Sequence, residues 1–220
     1  VKLINRDIYP VIKQESSLRL FGSESINIWD VRKKIGFLSS ELEARSSSKI
    51  TVFELVLSGL FGSIGIGNSQ TLSESQRDRV SSILEELHLI EFASTRFCQL
   101  SDGQRRRVLI ARAIVHKPKI LILDEPTRAL DFKASNQLLT FLSDISKRGT
   151  TILQITHRIE TIIRETKRIL LIKNGLVVGD GVPEKMLTSS ILSELFETPL
   201  VVVYANGFRQ VLPGLNKNGL

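Results

Sequence analysis

The segment Leu100-Ser101-Asp102-Gly103-Gln104, followed by Arg105-Arg106-Arg107, holds the first residues that can do chemistry. Ser101 and Gln104 have the spacing of a capping box, Gly103 permits close backbone approach, and the N–H groups at a helix start form an anion site. Taken alone, the segment also reads as an ordinary capped helix running to Val115. The second group is Asp124-Glu125-Pro126, which closes the apolar run Ile120 to Leu123. If that run is a strand of an open parallel sheet, both carboxylates stand at the C-terminal edge, where ligands of α/β folds bind. One acid can then hold magnesium through water while the other orients or deprotonates an attacking water. A solvated strand end is the plainer explanation of the same pair. Pro126 stops the strand before either acid is drawn into the core. The third is His157, just beyond the apolar stretch Thr151 to Thr156 and hence at the same edge. An imidazole there can contact a γ-phosphate or position water, although most lone histidines only satisfy local hydrogen bonds. His88 and His116 belong to that plainer kind, near predicted helix ends where imidazole meets the last carbonyls.

These residues need a scaffold, and the apolar pattern supplies one. Ile120 to Leu123 is apolar without alternation, as a strand buried on both faces would be, and Thr151 to Thr156 and Arg168 to Ile172 repeat the theme. From Lys119 onward such runs alternate with helical stretches, the pattern of a mostly parallel sheet covered by helices. Asp131 can cap a helix that Gly149 ends, and Asn174-Gly175 and Asn206-Gly207 suit tight hairpin turns. Upstream, Ser17 to Phe21 and Lys34 to Leu38 read as short strands with polar, turn-prone residues between them, and Ser46, Ser47 and Ser48 mark a loop. Thr51 with Glu54 and Ser73 with Gln76 have capping-box spacing, predicting helices from about Val52 to Leu60 and from about Glu74 to Leu89. Residues 49–100 are therefore expected to be mainly helical. Gly62, Gly65 and Gly67 read as a loop and not a nucleotide cradle, because no strand precedes them and no Gly-Lys pair follows.

The chain has 220 residues, 42% of them hydrophobic, enough for one domain with room for a subdomain. No stretch approaches the ~18 apolar residues of a membrane span, and no signal-peptide layout opens the chain, so a membrane link would come through a partner. The single Cys98 cannot form an internal disulfide, which suits a reducing cytosol. A net charge of +7 would suit an anionic partner, but no aromatic-interleaved basic stripe accompanies it, so a nucleic-acid partner is not expected.

In order and spacing, these pieces resemble the ABC ATPase family over nearly the whole chain. Leu100 to Gln104 resembles its LSGGQ signature with Asp at the third position. Ile120 to Glu125 resembles its Walker B strand, Ala129-Leu130-Asp131 its D-loop, and His157 its switch histidine. The resemblance implies a RecA-like P-loop NTPase core, mostly parallel sheet with helices on both faces, carrying an inserted helical subdomain. Residues 1–48 would be the first part of the core, 49–100 the insert, and 101–220 the signature helix, Walker B strand, switch region and remainder of the core. It also implies a cytoplasmic ATPase that acts as a homo- or heterodimer on ATP and Mg2+, engaging a membrane permease at the inner face of the membrane. Asp124 would join the magnesium shell, Glu125 would be the general base, His157 would sense the γ-phosphate, and Asp131 would communicate across the dimer. Ser101, Asp102, Gly103 and Gln104 would serve the nucleotide held by the partner.

Two departures qualify the resemblance. The G-x-x-x-x-G-K-[ST] loop has no counterpart, and Val1 to Ile4 resembles the helix that follows it, so the expectation is an excerpt beginning just past that loop. Where the family follows a strand with Gln, Leu38 leads to Ser39 and Ser40, and Ser40 would reach the metal through water. Those serines, the segment Ser58 to Gly65 and the C-terminal hairpin resemble the soluble ABC ATPases grouped with molybdate-transport ATP-binding proteins. The alternative function is a non-catalytic ABC-like module that pairs with an intact ATPase. Ribosome-acting ABC proteins fit less well, since they carry two such domains in one chain and this chain has one signature.

Overall fold

The computed structural model describes residues 19–23, 27–38, 49–62, 73–205 and 207–215. Val1 to Ile4, Ser39, Ser40, the serines at 46–48, Gly65, Gly67 and Asn206 lie outside the described residues. The chain forms two compact units, Val1–Leu138 with Arg148–Ile155, and Leu139–Lys147 with Thr156–Leu220.

In the first unit, helix α1 (Ile28–Lys34) runs directly into strand β1 (Ile35–Leu38). Helices α2 (Val52–Ser58), α3 (Glu74–Glu86) and α4 (Asp102–Ile114) follow, then strand β2 (Ile120–Asp124). Helix α5 (Phe132–Lys147) is shared between the two units and leads to strand β3 (Thr151–Ile155). The sheet order is β1-β2-β3, all parallel, with Ile35 opposite Ile120 and Asp124 opposite Ile155. Parallel neighbours require crossovers, and the helices between the strands provide them. Val31 of α1 packs with Ile35, Phe37 and Ile122, while Leu121 and Leu123, fully buried, point to the other face.

The capping boxes expected ahead of α2 and α3 form. Glu54 N–H donates to Thr51 Oγ1 at 3.3 Å while Glu54 Oε2 accepts from Thr51 N–H at 2.9 Å, and Ser73 and Gln76 repeat the exchange. The helices stop sooner than expected, at Ser58 and Glu86. The first tightens into a 3-10 turn at Gly59–Phe61, and after the second His88 turns left-handed with φ +53°. Helix α4 lies very close to its neighbours, and two glycines allow it. A Cβ on Gly36 of β1 would come within 2.1 Å of the Ala113 carbonyl oxygen, and one on Gly59 within 2.3 Å of the Arg112 oxygen. Buried Arg112 donates from Nε to Ser58 Oγ at 3.2 Å, and burial, then the charge of Arg32, brings its pKa down to about 10.

Three expectations need correction. The described part of Ser17 to Phe21 is no strand. Leu20 and Ser23 exchange main-chain hydrogen bonds across a tight turn in which Phe21 and Gly22 both have positive φ, a geometry that reverses the chain. The supposed turn-prone stretch ahead of β1 contains α1, and Lys34 is its last residue and not the first of the strand. Finally, Arg168 to Ile172 does not extend the parallel sheet. Strand β4 (Ile169–Lys173) pairs antiparallel with β5 (Leu176–Gly181), and Ile172 is 64% exposed. The two-residue turn Asn174-Gly175, both at positive φ, dictates that pairing, since a parallel neighbour would need a long crossover.

The second unit continues with the short helix α6 (Pro183–Met186), helix α7 (Ser189–Phe196) and the antiparallel pair β6 (Leu200–Ala205) and β7 (Phe208–Pro213). Ala205 opposes Phe208, which is the hairpin expected at 206–207. Its core gathers Ile159, Leu187 and Leu192, with Ile169, Leu200 and Val202 packed against them. Among the described residues, no helix is long and apolar enough to cross a membrane.

Candidate functional site

Helix α4 opens on the motif residues themselves. Ser101 is the N-cap in extended conformation, Gln104 N–H donates to its Oγ at 3.3 Å, and Gln104 Oε1 accepts from Ser101 N–H at 2.8 Å. By helix geometry the N–H groups of Asp102 and Gly103 have no acceptor within the helix, so they present the positive end of its dipole. Asp102 adds a carboxylate at this same end, and Arg105, one turn on, donates to its Oδ1 and balances the charge. The flank of Gly103 faces the loop after β2. A Cβ there would lie 3.4 Å from Leu130 Cδ2 and 3.6 Å from the Ala129 carbonyl oxygen, ordinary contact distances.

Asp124 is the last residue of β2 and Glu125 begins the loop, so both stand at the C-terminal edge of the parallel sheet, half-buried. Glu125 has φ +46°, a left-handed backbone that costs a non-glycine residue on the order of 1–2 kcal/mol. Three sets of hydrogen bonds hold it, two main-chain and one from a side chain. Glu125 N–H donates to the Ile155 carbonyl at 2.9 Å, and its own carbonyl accepts from Arg128 N–H at 3.0 Å. The third comes from Arg106, which is 6% exposed and donates to the carbonyl oxygens of Asp124, Glu125 and Pro126. Beyond Pro126, Thr127 is fully buried, and Leu130 N–H closes the loop on its carbonyl at 3.2 Å. Asp131 then caps α5, its Oδ1 accepting from Ala134 N–H at 2.7 Å, and Gly149 ends that helix at φ +99°.

His157 follows β3 by two residues and belongs to the second unit. The Thr156 hydroxyl oxygen accepts from Arg158 N–H at 3.0 Å and the Thr161 hydroxyl donates to the Arg158 carbonyl at 2.7 Å, which shapes the turn that carries exposed His157. Thus Ser101, Asp102, Gly103, Gln104, Asp124 and Glu125 share the first unit, with the signature end of α4 against the loop after β2. Ser40 lies outside the described residues. His116 does not meet the last helix carbonyls as expected: neither ring nitrogen has a hydrogen-bond partner of good geometry. The motif spacing does not single out Arg106 among Arg105-Arg106-Arg107. Helical phase would have found it, because it shares a face with buried Leu109, Ile110 and Ala113.

Residues 1–128 match the ABC transporter family. The chain is 40% identical, over 79% of its length, to an uncharacterized ABC transporter ATP-binding protein of Bacillus subtilis strain 168, of which it covers 66%. It is 34% identical, over 75% of its length, to a phosphonates import ATP-binding protein of Synechococcus sp., of which it covers 61%. It thus spans less than two thirds of these curated relatives. A dimeric ATP-binding cassette in a post-hydrolysis state with ADP and Pi is similar in structure, with a TM-score of 0.67 at 27% identity over 82% of this chain and 78% of that one.

Proposed function

The chain belongs to the ABC transporter family as an ATP-binding domain with the RecA-like P-loop fold, and on that premise we propose that it binds and hydrolyses ATP as one half of a dimer, energising transport through a membrane permease. The observation that carries this reading is the packing of the signature end of α4 against the loop that bears Asp124 and Glu125. The same unit thereby offers an anion-binding helix end for one nucleotide and two carboxylates at a sheet edge for another.

The residues fit ATP with Mg2+. The donors at the sheet edge are the carboxylate oxygens of Asp124 and Glu125, hard ligands that suit an ion which keeps its waters and is bound largely by phosphate oxygens. Asp124 would hold a water of the metal shell, and Ser40 would add a second contact through water. Bound MgATP supplies an activated γ-phosphoryl group whose charge needs compensation. Glu125 orients the attacking water and takes its proton on a carboxylate oxygen. His157 contacts the γ-phosphate, Asp131 relays between protomers, and Ser101, Asp102, Gly103 and Gln104 close over the partner's nucleotide. The boundaries 1–48, 49–100 and 101–220 are proposed as the functional division, and the working location is the cytoplasmic face of a membrane. The cargo name on the Synechococcus relative belongs to that protein, and the likeness to molybdate-transport proteins rests on short segments.

Glu125→Gln in the full-length protein tests the reading, because it keeps size and hydrogen bonding but removes the base. Turnover is expected to fall at least ~100-fold while ATP-dependent pairing persists, measured by phosphate release and size-exclusion chromatography. Unchanged turnover would remove Glu125 from the reaction. A full-length parent without turnover would favour the non-catalytic partner module.

A further inference from the structure

The residue in the site that no motif accounts for is Arg106. A guanidinium that is 6% exposed must be compensated, and here its Nη2 donates to the carbonyls of Asp124 and Glu125 and its Nε to that of Pro126 at 3.4 Å. Three consecutive carbonyls converge on one planar cation only if the chain between them is bent, and Glu125 has the φ of +46° that bends it. Without the cation those carbonyls would lose their shared donor, and the strained bend would rest on the main-chain bonds of Glu125 to Ile155 and Arg128 alone. A bend held by two bonds and no longer by the guanidinium lets the Glu125 side chain depart from the direction set at the sheet edge. Arg106 is also one turn from Ser101–Gln104 on α4, so a shift of that helix end is carried by a rigid element to the main chain of Glu125.

We propose that Arg106 is a positioning residue: its guanidinium holds the Asp124–Pro126 bend and so ties the aim of the Glu125 carboxylate to the placement of the signature end of α4. This rests on the reading of Glu125 as the base. It makes each protomer a link between two half-sites, the partner's nucleotide at Ser101–Gln104 and its own at Glu125.

Arg106→Gln and Arg106→Lys in the full-length protein test it, alongside the parent and Glu125→Gln. Expected for Arg106→Gln is a fall in kcat of about 10- to 100-fold with KM for ATP within about threefold, since misaiming a catalytic group affects the chemical step more than binding. Arg106→Lys keeps the charge but cannot span three carbonyls, and should recover part of kcat. Thermal unfolding and the folded fraction are measured on each. Parent-like kcat in a folded Arg106→Gln overturns the proposal, as does a loss of rate wholly explained by the unfolded fraction. If Arg106→Gln does not fold, Arg106→Lys decides alone: lowered kcat at unchanged KM supports the proposal and parent-like kcat overturns it. A parent without turnover, or a Glu125→Gln variant as active as the parent, would instead count against the reading of the site.

Discussion

His116 lies just past the end of α4, and its imidazole is held largely out of water. Burial first, then the charge of Arg112, push its pKa from 6.5 down to about 4, with a weaker opposing pull from the main chain of Ile35. The unfolded chain therefore takes up this proton at higher pH than the folded one. Stability from this residue is full above pH 6.5 and is lost as pH falls from 6.5 toward 4, with a slope of up to ~1.4 kcal/mol per unit and a total on the order of 3 kcal/mol. His116→Leu should flatten the urea-unfolding free energy across that window; an undiminished slope would assign the acid sensitivity to other groups. Arg106 and His116 are the two residues whose surroundings the sequence hid most. Both sit in or beside α4 with polar side chains turned inward. A basic run and a helix-end histidine are usually solvated, so residue type alone points the wrong way, and only helical phase hints at burial.

At the scale of elements, α4 is the member on which the others depend. It carries the signature end, anchors the loop after β2 through Arg106, and meets β1 and the turn after α2 with its own carbonyls where only glycine fits. Gly36→Ala would drive a methyl to 2.1 Å from the Ala113 oxygen, so the helix must move; the expected loss is about 2–4 kcal/mol, read by chemical denaturation. Gly103→Ala meets ordinary contact distances in a helical first turn and should cost less than about 0.5 kcal/mol. Equal losses in the two variants would mean that the approach to Gly36 is not what limits the packing. Much of this level was legible. The three capping boxes, at Thr51, Ser73 and Ser101, depend on residues three apart, and strand β2 shows as an uninterrupted apolar run, whereas β3 includes Gln154 and alternates exposed with half-buried residues instead of being buried on both faces. What escaped reading depends on distant partners. Helix α1 is seven residues, too short for a period, and its Val31 packs on Ile35 and Ile122. Strand β4 has the composition of a buried strand, while the Asn174-Gly175 turn that the sequence shows beside it specifies the antiparallel hairpin that forms.

For the whole molecule, the proposed division of labour makes each catalytic site a composite: Asp124 and Glu125 from one protomer, Ser101–Gln104 from the other. Two defects then combine differently according to where they sit. A Glu125→Gln protomer paired with a Gly103→Asp protomer makes one site with both defects and one with neither, because the intact signature of the first faces the intact acids of the second. Gly103→Asp is suitable as the second defect because the space beside it accommodates a Cβ, while its charge repels a phosphate. Each variant alone should be inactive. Mixed in equal amounts and allowed to exchange, the full-length proteins should recover about a quarter of the parent rate, since half the dimers are mixed and each has one working site of two. Placing both substitutions in one chain and mixing it with parent leaves each mixed dimer without an intact site, so only parent homodimers contribute. Phosphate release from the two mixtures distinguishes the arrangements. If the singly substituted proteins fail to complement each other, either a protomer supplies both halves of its own site or hydrolysis requires both sites at once. Titrating parent into excess Glu125→Gln separates these: proportional loss fits sites within one protomer, and loss steeper than the parent fraction fits obligatory two-site turnover.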